Sequence, residues 1–282
     1  MKLIDAFDEV AIERDCWKGK KAWNPPFSYN REHCLRLLGP DKDVRTINKQ
    51  DLLGMRRVLM SEPGIKGNNR SAGGINRIMS ILNTVLSDLV EIEYLDHYPK
   101  IKPLKENNTR TVFFTKSQVQ RMIDMSRKVD DNQELAEAIL FGVFTGCRQG
   151  ELLDLAVSEI DLESRLLTFL DTKNGEDHVI DIHSELLPVL EWRVQLKQPH
   201  EKVFDFRNDD DLRSQFYKVR DKCGIDDEHV WHSLRHTTAT WLNERGVPIQ
   251  TIAHVLNHKR LETTARYTKV TNKARKTAIE SL

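Results

Sequence analysis

The chain has 282 residues, of which 39% are hydrophobic and 30% charged, and its 43 Lys+Arg balance 43 Asp+Glu. That length allows one large or two modest domains with a buried core. No apolar run approaches a membrane span, and acids interrupt the opening MKLIDAFDEVAIERD where a signal peptide needs an unbroken apolar stretch, so the cytoplasm is the expected location.

Charge is unevenly spread. Residues 1–105 hold 18 Lys+Arg against 14 Asp+Glu, and the remainder holds 25 against 29. A weakly basic front part fits contact with a polyanion but does not establish it. Cys16, Cys34, Cys147 and Cys223 are scattered, with no C-x-x-C pair, and read as reduced, mostly buried thiols rather than a zinc site or disulfide framework.

The first hundred residues read as helical. Leu35, Leu37 and Leu38 follow a start near Ser28, and Asn48 can cap a helix carrying Leu52, Leu53 and Met55. The clearest helix runs from about Ser71 to Glu93, where Ile75, Ile78, Met79, Leu82, Val85, Leu86 and Leu89 form one apolar stripe. Lys66, Asn69, Arg70 and Arg77 lie at or near its start, either as a solvated helix entry or as a phosphate-contacting surface. The segment YPKIKPLKENNTR, with two prolines and no apolar period, predicts an extended linker. The expected domains are therefore 1–97 and 111–282, joined by 98–110.

Beyond the linker, TVFFT predicts a short strand, and Thr115 or Ser117 can cap a helix through Met125. Residues 133–145 predict a buried helix broken by Gly146, and a second short helix begins at Gln149. Leu166–Leu170 and His178–Ile182 are strand candidates around DTKNGED, whose Asn174-Gly175 pair is a hairpin signal. Val203–Phe206 is a further strand candidate, and helices fill most of 211–282. Asp209, Asp210 and Asp211 are the tightest acidic cluster. Their position favours capping the helix that follows over holding Mg²⁺.

Chemistry-bearing side chains gather late. His232, Arg235 and His236 share one face of a helix, with Leu234, Thr238 and Trp241 opposite. Gly246 ends that helix and Pro248 starts another, with Ile249, Ile252, Ala253 and Leu256 as its stripe. His258 follows, and Tyr267 stands fifteen residues before the last residue. A tyrosine or a histidine alone reads as packing or capping.

The order Arg148 in TGCRQGELLDL, Lys173 in the hairpin, His232 and Arg235 in HSLRH, His258 in LNHK, then Tyr267 resembles the tyrosine recombinases of the phage-integrase family. RSAGGINRIMSILNTVLSDLVE resembles that family's helical core-binding domain. The resemblance implies two domains gripping duplex DNA. One is an all-α, SAM-like core-binding domain; the other is a mixed α/β, mainly α catalytic domain with a C-terminal tail helix. It implies site-specific recombination of DNA through a covalent 3′-phosphotyrosyl link, with no metal, cofactor or ATP.

Physical chemistry suits each role. A free tyrosine has a pKa of about 10 and needs help with its proton. Arg148 and Arg235 can offer rigid donor forks to the nonbridging oxygens, and His258 another hydrogen bond. By resemblance, Lys173 is a general acid for the leaving sugar hydroxyl, and His232 moves protons near Tyr267. Implied partners are a double-stranded core site, a homotetramer on DNA whose tail helix either docks on a neighbouring protomer or folds back on its own domain, and a phage or host DNA-bending protein; viral genome integration is one implied setting.

Two departures stand out. Asn257 occupies the place of the family's usual glycine, and asparagine tolerates left-handed backbone. The arm-type domain that many phage integrases carry is expected to be absent or truncated. Two other readings remain: a noncatalytic helix-turn-helix-like DNA-binding regulator built on 232–258, which leaves Arg148, Lys173 and Tyr267 unexplained, and a type IB topoisomerase-like enzyme that relaxes DNA.

Overall fold

A computed structural model describes residues 1–13, 25–64, 67, 69–106, 112–128, 131–170, 176–265 and 280. The chain divides into two compact units, Met1–Asn107 and Asn108–Leu282.

The first unit is helical: α1 (Leu3–Glu13), α2 (Pro25–Leu38), α3 (Lys49–Ser61) and α4 (Ala72–Glu91). All seven apolar residues of the α4 stripe are buried, each worth about 1.5–3 kcal/mol before entropy is counted. Leu3, Phe7 and Val10 of α1 lie in the same core. Ser71 caps α4 by accepting from Gly74 N, and Asn48 caps α3 in a reciprocal box with Asp51. α2 begins at Pro25, earlier than the expected start at Ser28. Proline is tolerated in the first turn, where its missing N–H has no helical partner to lose.

Residues 98–106 are irregular, yet not a free tether. Tyr98, Ile101 and Leu104 pack on the first unit's core. Asn76 holds Leu104 through both amide atoms at 2.9 Å, and Arg56 Nη1 donates to the Lys102 carbonyl at 2.9 Å.

The second unit contains α5 (Lys116–Lys128), α6 (Gln133–Thr145), α7 (Gln149–Asp154), β1 (Ile160–Asp161), β2 (Leu166–Phe169), β3 (His178–Asp181), α8 (Leu187–Val194), α9 (Asp209–Lys222), α10 (His232–Glu244), α11 (Ile249–Val255) and α12 (Leu261–Ala265). The sheet is antiparallel in the order β1-β2-β3, with Leu167 opposite Ile180 and Phe169 opposite His178. Asn174 and Gly175 lie outside the described residues. Buried on nearly every side, α6 forms the centre of this unit. Its Glu137 is 3% exposed and takes hydrogen bonds from Arg193 Nε and Gln133 Nε2, both at 2.6 Å.

Two strand expectations fail for one reason: other groups take the backbone. At 112–115 no strand forms. Phe114 N–H donates to Thr237 Oγ1 at 2.9 Å, and its carbonyl accepts from Trp241 Nε1 at 3.2 Å. At 203–206, Val203 N–H goes to the Leu155 carbonyl and Asp205 N–H to Glu134 Oε1. Only a single bridge, Ala156 to Lys202, lies beside that segment. Asn208, rather than an aspartate, caps α9; Asp209, Asp210 and Asp211 occupy its first turn. The expected tail helix falls almost wholly outside the described residues. No described helix is long and apolar enough to cross a membrane.

Candidate active site

The site begins where α6 ends. Gly146 adopts φ +65°, and its N–H closes the helix on the Gly142 carbonyl. A Cβ there would sit 2.5 Å from Leu256 Cδ2, so glycine meets both a backbone and a space requirement. The turn delivers Arg148 to the start of α7. Glu151 fixes it twice, accepting from its backbone N–H at 2.6 Å and from Nη1 at 2.5 Å. Cys147 is buried and its thiol is pushed up to about 12 by burial, so it is a packing group rather than a nucleophile. Cys34 and Cys223 are likewise buried and free; Cys16 lies outside the described residues.

α10 supplies the next group. His232, Arg235 and His236 span an arc of about 100° on the helix, and the structure divides that arc. Arg235 is 4% exposed and points inward. Its Nη1 donates to the Gly146 carbonyl at 2.7 Å and its Nη2 to the Leu256 carbonyl. His232 is exposed, edge-on to His236 with centroids 4.8 Å apart. The expected single polar front is therefore one buried guanidinium beside an exposed His232 and a half-buried His236.

The third piece is the turn after α11. Asn257 N–H returns to the His254 carbonyl and His258 N–H to the Ala253 carbonyl, both at 2.9 Å. Asn257 has φ +48°. This is a Schellman ending with asparagine at the left-handed position. His258 Nδ1 lies 2.8 Å from Thr264 Oγ1 of α12. Arg148 Nη2 reaches the Asn257 carbonyl at 3.3 Å, and His178 Nε2 reaches the His254 carbonyl at 2.9 Å. Burial holds the His178 imidazole below its ordinary pKa.

Arg148, Arg235 and His258 thus meet at residues 254–258, from three separate parts of the chain. Lys173 and Tyr267 lie outside the described residues. Sequence reading took Gly146 only as a helix end and passed over Glu151, His178 and Thr264 as parts of the site. Glu151 alone carried a signal, standing three residues after Arg148 in capping-box spacing.

In the first unit, Arg70 corrects the surface reading given to it. Its side chain is 11% exposed, with Nη1 on Tyr29 Oη at 2.6 Å and Nη2 3.2 Å from His33 Nε2. It is an internal strut between α2 and the start of α4. Asn69 is exposed in a bridge with Pro63, Arg77 is exposed on α4, and Lys66 lies outside the described residues.

Comparison with known proteins identifies the architecture. A family model described as the phage integrase family matches residues 112–274, more than half of the chain. Tyrosine recombinase XerA of Saccharolobus solfataricus is 33% identical over 151 residues, covering 54% of this chain and 50% of that protein. The XerA of Pyrococcus horikoshii is 30% identical over 221 residues, covering 75% of each. The chain therefore spans half of the first relative's length and three quarters of the second's. Among solved structures, the Tn1549 transposon integrase in complex with transposon right end DNA has a TM-score of 0.74 at 15% identity, covering 100% of this chain and 99% of that one. A lambda integrase dimer bound to a core site has 0.71 at 18%, covering 93% and 95%. At those identities the structures establish the fold. The chain belongs to the phage integrase family, and the relatives it resembles are tyrosine recombinases.

Proposed function

We propose that this chain recombines DNA at specific sites by cleaving and rejoining strands through a covalent 3′-phosphotyrosyl intermediate, without metal or ATP. The observation that carries the reading is the meeting of Arg148, Arg235 and His258 at one turn. Two guanidinium groups and an imidazole match the charge that develops on the nonbridging oxygens of a phosphodiester under attack.

Tyr267 Oη attacks phosphorus, and the bond from phosphorus to the 5′ oxygen breaks. Lys173 gives that oxygen its proton, and His232 takes part in proton movement at the nucleophile. One phosphoester replaces another, so a 5′ hydroxyl of a second strand can reverse the step and expel the tyrosine without an external energy source. In this reading Arg148 and Arg235 do the electrostatic work that a metal ion does in other phosphoryl-transfer sites.

The substrate is duplex DNA with a core site; among the structural neighbours, the lambda integrase dimer is bound to a core site and the Tn1549 integrase to transposon right end DNA. The first unit serves as the core-binding domain, with 98–110 connecting it to the catalytic domain. Lys66, Asn69 and Arg77 contribute to DNA contact, whereas Arg70 supports that surface from within. Four copies assemble on two sites, with the segment after Tyr267 docking on a neighbour and a DNA-bending protein assisting. The setting is a cytoplasm holding both element and target, with viral genome integration as one use.

The test is incubation with a pool of nicked duplexes carrying a randomised core. Wild type is expected to leave denaturation-resistant adducts whose DNA converges on one sequence, and Tyr267→Phe to leave none. Sequence-specific binding with no adduct would favour the noncatalytic regulator. An adduct with relaxation but no exchange between two selected sites would favour topoisomerase-like chemistry.

A further inference from the structure

The turn that carries His258 is held by side chains from three other elements. The last carbonyls of a helix lack helical N–H partners. Here Arg235 takes the Leu256 carbonyl, Arg148 that of Asn257, and His178 that of His254. His178 reaches across from the first residue of β3, 76 positions away in sequence. Its ring stacks on Phe169 of β2, with centroids 6.2 Å apart and 21° between planes, which sets its direction. Glu176, two residues earlier, lies 3.7 Å from Lys259, one residue past His258.

Two of the three anchors have a second duty. If Arg148 and Arg235 engage the phosphate, their hold on the turn changes during the reaction. His178 has no such role in the chemistry. We propose that His178 is a positioning residue for strand cleavage: its Nε2–H, donated to the His254 carbonyl, keeps residues 254–258 and with them His258 in place while the guanidinium groups engage the phosphate. The inference rests on the proposed roles of Arg148, Arg235 and His258. The acceptor is a carbonyl, so Nε2 carries the proton in both neutral and charged imidazole, and the bond persists through neutral pH. Displacing a reacting group by about 1 Å costs up to about 100-fold in rate.

The test compares two variants of the full chain on the nicked duplex selected by wild type. His178→Phe keeps a ring against Phe169 and removes the donor; His178→Gln keeps an N–H donor and removes the ring. Single-turnover adduct formation is measured beside DNA affinity. His178→Phe is expected to slow adduct formation about 10–100-fold with Kd changed less than about twofold, and His178→Gln to recover most of the rate. In a His258→Ala background, His178→Phe is expected to add less than about threefold, because the positioned group is gone. A wild-type rate for His178→Phe, equal losses in the Phe and Gln variants, or a fully multiplicative loss in the double variant would overturn the proposal. Should His178→Phe not fold, His178→Asn, too short to reach the carbonyl, is read the same way. Failure of the underlying reading is separable: wild-type cleavage by His258→Ala, or an adduct from Tyr267→Phe, would occur with His178 intact.

Discussion

Gly146→Ala tests the packing on which the site is built. At φ +65° an alanine carries about 1–2 kcal/mol of left-handed strain. Its Cβ would also stand 2.5 Å from Leu256 Cδ2 and 3.2 Å from Thr238 Oγ1. Leu256 is fully buried beside Ala239 and Ile252 and has no open side to move into, so overpacking adds about 1–3 kcal/mol. The total of about 2–5 kcal/mol corresponds, for a unit of this size, to a melting temperature about 5–15 °C lower. The perturbation also pushes on the residue whose carbonyl holds Arg235, so adduct formation falls with stability. Thermal unfolding followed by the fluorescence of Trp231 and Trp241, both in the second unit, reads the first effect. The contrast is made in a Leu256→Ala background, where the 2.5 Å clash is gone and Gly146→Ala costs its backbone strain, about 1–2 kcal/mol, together with the remaining close contact to Thr238. A loss below about 0.5 kcal/mol in the wild-type background, or the same loss in both, would refute the reasoning.

Arg193→Met strands the carboxylate of Glu137 in the second core and should cost about 3–5 kcal/mol in urea unfolding, with Glu137→Gln restoring part of it; an unchanged urea midpoint contradicts this. His33 predicts a pH dependence in the first unit. Burial, then the Arg70 and Arg36 guanidinium groups, hold its imidazole below the ordinary 6.5, against an opposing pull from Glu62 and Glu32. The unfolded chain therefore binds the proton more readily. Stability is complete above the unfolded value and falls as pH drops through 6.5 towards the lower folded pKa. His33→Asn should flatten that slope between about pH 7.5 and about pH 5.5, and an identical slope would show that His33 is not its source.

What the sequence disclosed follows from locality. The α4 stripe, the Asn48 cap, the Gly146 break and the pairing of β2 with β3 are set by neighbours a few residues away, and each is in the structure. Residues 112–115 and 203–206 misled because a short apolar run does not say where its N–H and C=O groups will bond. Thr237 and Trp241, over a hundred positions from Phe114, decided the first case. A charge at a helix entry is usually solvated, but Tyr29, 41 residues before Arg70, covers most of its side chain. In the site, the order of reactive residue types was legible, but their anchoring was not. Arg235 meets carbonyls 89 and 21 positions away, and neither partner carries a side-chain signature. His178 escaped notice for the same reason.

In the proposed reaction Tyr267 carries the DNA covalently. The most direct test is to trap the adduct on a nicked duplex, digest both protein and DNA, and locate the nucleotide by mass spectrometry. A 3′-linked nucleotide is expected on the peptide containing Tyr267 and on no other, with no modified peptide from Tyr267→Phe. A nucleotide on any other residue, or an adduct that survives Tyr267→Phe, would contradict it.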